Sequence, residues 1–171
     1  MAAILTADRI QTVSGSALST NWPSGMIIGS KCIRNGTRTA MPTTNAYAPL
    51  SGTYTKILGS TQSKLVCRLT AFYAGYNSGS CGAYIACDST KHYGTGYQYD
   101  GSWSSTQQTT VVFGQAEFTG IAAGNRTISH GWNTANGSTS DKIGNYFNPN
   151  SNDDSRNQQM ISSITVFEVV I

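Results

Sequence analysis

The residues best equipped for chemistry are one histidine, a few carboxylates, an Asn/Asp run, four cysteines and a crowd of tyrosines. His130 and Glu117 fall on neighbouring predicted strands and can be drawn as a general base with its orienting carboxylate. The alternation Ile128, His130, Trp132 argues instead for an inward-facing imidazole satisfied by a backbone partner. Asp88 and Asp100 offer the two carboxylates of a glycosidase, but both sit in loop-like sequence where acids are ordinarily solvated. Asn148-x-Asn150-x-Asn152-Asp153-Asp154 spaces oxygen ligands as a calcium loop does, without the glycine and distal glutamate of an EF-hand. The patterns G-x-S-x-G, G-x-x-x-x-G-K-[ST] and H-E-x-x-H do not occur. The expectation is a non-enzymatic chain with no catalytic residues, no cofactor and no metal.

Cys32, Cys67, Cys81 and Cys87 contain no C-x-x-C pair, which argues against a metal site. Cys67 falls mid-strand, where a small buried apolar group is expected. A Cys81–Cys87 bridge across a hairpin end is the alternative for that pair. Tyr73, Tyr76, Tyr84, Tyr93, Tyr97, Tyr99 and Trp103 crowd the middle of the chain. Tyr93, Tyr97, Tyr99 and Trp103 form a candidate glycan platform, with rings stacked on sugars beside Asn and Asp hydrogen bonds. The competing reading places half of these rings in the core or in subunit contacts. Net charge is +3, with Lys31, Arg34 and Arg38 the nearest approach to a basic cluster, so no nucleic-acid partner is expected. The first residues lack a basic-then-apolar signal, and no run approaches the ~18 apolar residues of a membrane span. The expectation is a soluble protein made in the cytosol, with no membrane insertion.

The scaffold that must position these residues reads as all-β. Only 11% of residues are charged, against about 25% in ordinary domains. Gly, Tyr, Ser, Thr and Asn fill the space, a mixture suited to strand faces and tight turns. Strands are predicted at Met26 to Ile33, Lys64 to Tyr73, Gly82 to Cys87, Thr109 to Ile121, Arg126 to Trp132 and Met160 to Ile171. Asn77-Ser78-Gly79 reads as a hairpin turn joining the second and third of these. Residues Met41 to Leu50 read as an irregular crossing, and Tyr93 to Ser105 as a long loop or weak strands. With about eight strands in all, a two-sheet antiparallel jelly-roll sandwich is the economical architecture. Residues 1–25 read as an extended N-terminal docking arm, with Ile4, Leu5, Ile10 and Val13 as its apolar contacts, and residues 26–171 as the jelly-roll trimerisation domain. The terminal strand is apolar on both faces, which suggests burial against the core and against another subunit. Ile164, Val166, Phe167 and Val169 are therefore the candidate trimer interface.

Four short motifs carry a family resemblance. Ala7-Asp8-Arg9-Ile10-Gln11-Thr12-Val13-Ser14-Gly15 is similar to the opening of many small tailed-bacteriophage fibre proteins, and Trp22-Pro23-Ser24-Gly25-Met26 resembles the Pro-Gly-Met step that follows in them. Ser60-Thr61-Gln62-Ser63-Lys64-Leu65-Val66 resembles their entry into a long central strand. Met160-Ile161-Ser162-Ser163-Ile164-Thr165-Val166-Phe167-Glu168-Val169 resembles their terminal strand. The resemblance implies a tumour-necrosis-factor-like jelly roll that trimerises around its inner sheet. It also implies a virion location, either as a capsid decoration protein or as a short fibre that touches the host surface. This chain lacks the repetitive shaft of long fibres, which favours a compact particle-bound subunit. The rival expectations are a receptor- or carbohydrate-binding fibre tip that captures a host-surface glycan, and a surface-polysaccharide hydrolase.

Overall fold

Period-2 alternation organises the longest strand. In β4 (Ser63–Gly75), Leu65, Cys67, Leu69, Ala71 and Tyr73 are buried on one face, while Lys64, Val66, Arg68, Thr70 and Phe72 point the other way. The computed structural model describes residues 22–40, 49–75, 81–98, 108–134, 146–148 and 160–171. None of these lies in a helix. The other strands are β1 (Ile27–Asn35), β2 (Thr39–Ala40), β3 (Leu50–Lys56), β5 (Cys81–Cys87), β6 (Thr90–Gln98), β7 (Gln108–Phe118), β8 (Gly124–Thr134), β9 (Tyr146–Phe147) and β10 (Ser162–Val170).

They form two antiparallel sheets. The first runs β1-β10-β4-β9-β2, with β7 also paired to β4; the second runs β3-β8-β5-β6. Strand β4 is long enough to take β7 along one edge from Leu65 to Gly75. Its other edge is shared by β10, as far as Thr70, and β9, at Tyr73 and Ala74. Asn148 bridges the gap between β10 and β9. Its amide donates to the carbonyls of Asn35 (2.6 Å) and Thr37 (3.2 Å), and its Oδ1 accepts from the backbone N–H (3.0 Å) and hydroxyl (2.5 Å) of Ser162. Asn148 takes the left-handed conformation, φ 52°, which Asn tolerates better than most residues. A residue expected in a polar loop is thus a buried junction.

The core lies between the sheets. Leu65, Cys67, Leu69, Ile164, Val166 and Phe118 of the first sheet face Leu50, Ala83, Ile85, Cys87 and Ile128 of the second. Gly52 belongs to this packing, because a Cβ there would stand 2.9 Å from Ile33 Cγ2. One expectation about topology is corrected. Strands β4 and β5 are not hairpin partners: they lie in different sheets, and the chain crosses the sandwich between them. Of the loop or weak strands expected over Tyr93 to Ser105, residues 93–98 are strand, the latter part of β6, paired with β5. Residues 50–56, which begin at the end of the expected crossing, form the fully paired strand β3. Residues 1–21, most of the predicted arm, lie outside the described residues.

The sandwich has two unlike ends. Antiparallel pairing places the start of β1, β4, β6 and β8 and the finish of β3, β5, β7 and β10 together at one end. The short connections 57–62, 88–89 and 119–123 are there, as are Gly25 and Ile171. Backbone bonds knit this end: Gly25 N–H to Val170 O (2.9 Å), Val170 N–H to Met26 O (3.0 Å) and Ile171 N–H to Gln62 O (3.1 Å). The opposite end holds the finish of β4, β6 and β8.

Candidate functional site

The same alternation that fills the core decides what the outer faces carry. On β10 the even positions Ser162 to Val170 are buried, and the odd positions 163 to 169 are half-buried on the outside. Phe167 lies opposite Ser30 on β1 and Val66 on β4, and Val66 lies opposite Glu117 on β7. One register step along, Thr165, Arg68 and Gln115 make the next row. The outer face of the first sheet is therefore a patchwork of apolar and charged side chains. Ile27, Val66, Phe167 and Val169 line a groove of about 300 Å³ together with Lys64, Arg68, Gln115 and Glu117. Lys64 Nζ is 2.7 Å from Glu117 Oε2. The Arg68 guanidinium lies 5.6 Å from the centre of the Phe167 ring, and its Nε–H donates to Gln115 Oε1 at 3.2 Å. Farther along β7, Val111 and Phe113 extend the apolar surface, with Phe113 67% exposed.

The second sheet's outer face differs. On its β3–β8 pair, Ser51, Thr53 and Thr55 stand opposite Ser129, Thr127 and Asn125. That surface is hydroxyl and amide, with Thr55 Oγ1 donating to Asn125 Oδ1 at 2.8 Å. It has the composition of a wetted antiparallel face, whereas the first sheet's outer face does not.

The structure divides the four expected interface residues. Ile164 and Val166 are corrected: both are fully buried in the chain's own core, on the face of β10 that packs against the second sheet, and have no surface to offer a partner. Phe167 and Val169 lie on the outer face beside the groove. Of the expected glycan platform, Tyr93 sits on the outer side of β6, 55% exposed, with its ring 5.8 Å from that of Tyr84 in an edge-to-face contact. Lys91 Nζ lies 4.5 Å from the Tyr84 ring centre. Tyr97 pairs with Gly82 through the β6 backbone, and Tyr99 and Trp103 lie outside the described residues. The arm residues Ile4, Leu5, Ile10 and Val13 also lie outside them.

His130 and Glu117 do not meet. Glu117 is on the outer face of the first sheet, paired with Lys64, and His130 is buried in the second sheet. His130 Nδ1 is 2.9 Å from the carbonyl of Tyr84, which can only accept, so Nδ1 carries the proton and Nε2 accepts from the Tyr73 hydroxyl. Burial lowers the imidazole pKa from 6.5 to about 4, so this histidine stays neutral and links the two sheets. Asp88 closes the β5–β6 turn: its carboxylate accepts from Thr127 N–H (2.8 Å) and Arg126 (3.2 Å). Cys87 is a free thiol at the far end of β5 from Cys81, so the Cys81–Cys87 bridge is excluded. Among the described residues no group of three or more His, Cys, Asp or Glu side chains is placed to hold a metal ion.

One buried cluster was not anticipated. Glu168, fully buried, accepts from the N–H groups of Ile57 and Leu58 (2.8 Å each), from Ser63 Oγ (2.6 Å) and from the Tyr54 hydroxyl (3.2 Å). Lys56, also buried, stands 3.6 Å from Glu168 Oε1 and donates to Leu58 O (2.6 Å), Gly59 O (3.1 Å) and Ser63 Oγ (2.6 Å). Burial alone would raise the Glu168 pKa; the Ser63, Ile57 and Leu58 donors and the Lys56 ammonium together hold it below the usual carboxylate value. Burial lowers that of Lys56, with the carboxylate opposing. Ser63 between an ammonium and a carboxylate has the makings of a nucleophile, but every donor of Lys56 is spent and the cluster is sealed. It ties the 57–62 connection to β10. The sequence signal was an acid on the core face of β10, in step with Ile164 and Val166.

The chain was compared with family models and with curated proteins, and nothing in either matches it.

Proposed function

We propose that this chain is a structural virion protein of a tailed bacteriophage: a trimeric jelly-roll subunit that decorates the capsid or forms a short fibre, docks through its N-terminal arm and touches the host surface. The observation that carries the assembly is the contrast between the two outer faces. A groove floored by Ile27, Val66, Phe167 and Val169 on one sheet, against a hydroxyl and amide surface on the β3–β8 half of the other, favours covering the first sheet with a second copy. Its charged residues are of both signs, Lys64 and Arg68 beside Glu117, which suits a surface that meets copies of itself. Among the described residues the eight long strands divide four and four, and the chain changes sheets at most connections, as in a jelly roll. The virion location rests on the four motifs in the sequence.

The arm is tested by deleting residues 2–20. The shortened protein is expected to fold and trimerise, yet not to decorate particles assembled without the wild-type chain. Normal occupancy by the shortened trimer would show that the arm is not the anchor. Loss of the trimer would make the arm part of the subunit's own assembly. A second reading, a carbohydrate-binding tip, is favoured only by the exposed ring of Tyr93 beside Lys91. Selective glycan binding abolished by Tyr93→Ala would replace the first reading with this one.

A further inference from the structure

We infer that copies of this chain meet head to tail: the apolar rim of one copy, carried by β7, seats on the groove of the next, and three such contacts close the ring. This inference rests on the proposed trimer and names the surface that fills its groove. A second apolar patch stands on the outer face of the first sheet. Val111, 39% exposed, and Phe113, 67%, project outward from β7, and the half-buried Phe72 of β4 lies opposite Val111. Among the described residues β7 pairs with β4 alone, so this patch is at the rim of the sheet. The groove lies farther in, floored by Val66 of β4 and by Phe167 and Val169 of β10, strands that are flanked on both sides; neither Val111 nor Phe113 lines it. The rim is also unguarded. Sheet edges that stay in water are protected by lysine or proline. Residues 108–116 of β7 carry no charge and no proline, whereas the edge strand β1 carries Lys31 and Arg34.

Symmetry, charge and spacing argue for this occupant. A groove laid on another groove is a two-fold contact and closes at two copies, while a ring of three needs two unlike patches that meet in turn. A rim lying across its neighbour's face is such a contact. Inside the groove Lys64 and Glu117 engage each other at 2.7 Å, so Arg68 is the charge that a facing surface must accommodate. Groove on groove would turn one guanidinium toward the other. The rim brings no charge to it, since Phe113 is flanked on the outer face by Thr70 across the pair and by Gln115 along the strand. Val111 and Phe113 stand two residues apart on one strand, as Phe167 and Val169 do on another. Both apolar pairs therefore repeat at about 7 Å and can lie alongside each other.

The test is sedimentation of Phe113→Asp, followed by directed cross-linking. Phe113 is exposed enough for the charge to leave the subunit folded, so the variant should keep its far-ultraviolet circular dichroism and sediment as a monomer. A Phe113→Asp protein that stays trimeric would overturn the head-to-tail seat and leave the trimer standing, whereas a wild-type monomer would overturn the trimer itself. Rims that met one another would also be sensitive to this substitution, and cross-linking separates the two arrangements. Cys32→Ser removes the exposed thiol among the described residues. In that background Phe113→Cys is combined with Ile27→Cys, at a groove position that is 55% exposed. The two sites lie roughly 25 Å apart within one chain, from three strand spacings and about six residues of strand, beyond the reach of a short bismaleimide. The reagent should therefore join the double variant into covalent dimers and trimers, and Phe113→Cys alone should give none. Cross-linking by Phe113→Cys alone, or none by the double variant, would overturn the inference.

Discussion

Replacing Glu168 with alanine is the sharpest probe of how this sandwich is held. The carboxylate receives two backbone N–H groups, two hydroxyls and the Lys56 ammonium, all in a region that water does not reach. Removing it leaves a buried ammonium without its counter-charge, a change that typically costs about 3–5 kcal/mol. It also strands the Ile57 and Leu58 donors, where one lost partner costs about 1–3 kcal/mol. The terms overlap, so the expected loss is about 5 kcal/mol, a large part of a normal domain's stability of about 5–15 kcal/mol. At a urea slope of about 2 kcal/mol per molar, the midpoint falls by about 2–3 M. Lys56→Met added to Glu168→Ala removes the unpaired charge, so the double variant should recover about 2 kcal/mol of what the single variant loses. The assay is urea unfolding followed by tryptophan fluorescence at one fixed protein concentration, since the proposed assembly would make the midpoint concentration-dependent. A Glu168→Ala midpoint within about 0.3 M of wild type would refute the reasoning, and so would strict additivity in the cycle.

Acid should weaken the fold by two routes. His130 has a folded-state pKa of about 4 against 6.5 unfolded, so the unfolded chain binds the extra proton and stability falls as pH drops from 6.5 to 4, by about 3 kcal/mol in all. Glu168, held below its usual value, contributes stability that is present above its unfolded pKa and is lost as pH falls through the folded one. A melting temperature flat between pH 7 and pH 4 would contradict the first route, and one flat on further acidification below about pH 4 the second. Burial raises the Cys67 thiol to about 12 and the Cys87 thiol to about 11, so at pH 8 an aromatic disulfide reagent should label the exposed Cys32 far faster than either. Peptide mapping after a short exposure checks this, and equal labelling of Cys67 would show that the core is open. Gly29→Ala should destabilise by about 1–3 kcal/mol, because its Cβ would displace the Tyr54 hydroxyl from Glu168; an unchanged urea midpoint would show that the hydroxyl has room to move.

The alternation of strands was legible. On β4 and β10 the residues that share each face could be grouped from the sequence, and both groupings hold; which group of β10 turns inward could not be read, because both are largely apolar. β3 was missed because its core face is written Leu50, Gly52, Tyr54, Lys56, where a glycine that admits Ile33 and a lysine that satisfies a buried acid disguise the pattern. β6 was left between loop and weak strand because Thr90–Gln98 is rich in residues that serve equally in turns. Pairing was less legible than strand existence. Alternation says which side chains share a face, but not which sheet the face belongs to, so β4 and β5 were joined as a hairpin when the chain crosses the core between them. The same limit shaped the interface: an apolar strand reads as two-sided whether its second face meets a sheet of its own chain or a neighbour. Ile164 and Val166 meet their own second sheet, and Phe167 and Val169 lie on the outer face beside the groove.

The central claim, that copies of this chain assemble through the outer face of the first sheet, is tested most directly by sedimentation equilibrium of the wild type beside Phe167→Asp. The wild type should sediment at three times the 18.2 kDa of one chain. Phe167→Asp, which leaves the core of β10 untouched, should sediment as a folded monomer, since a charge buried in that interface costs several kcal/mol. A wild-type monomer at micromolar concentration, or a Phe167→Asp protein that remains trimeric, would contradict the account.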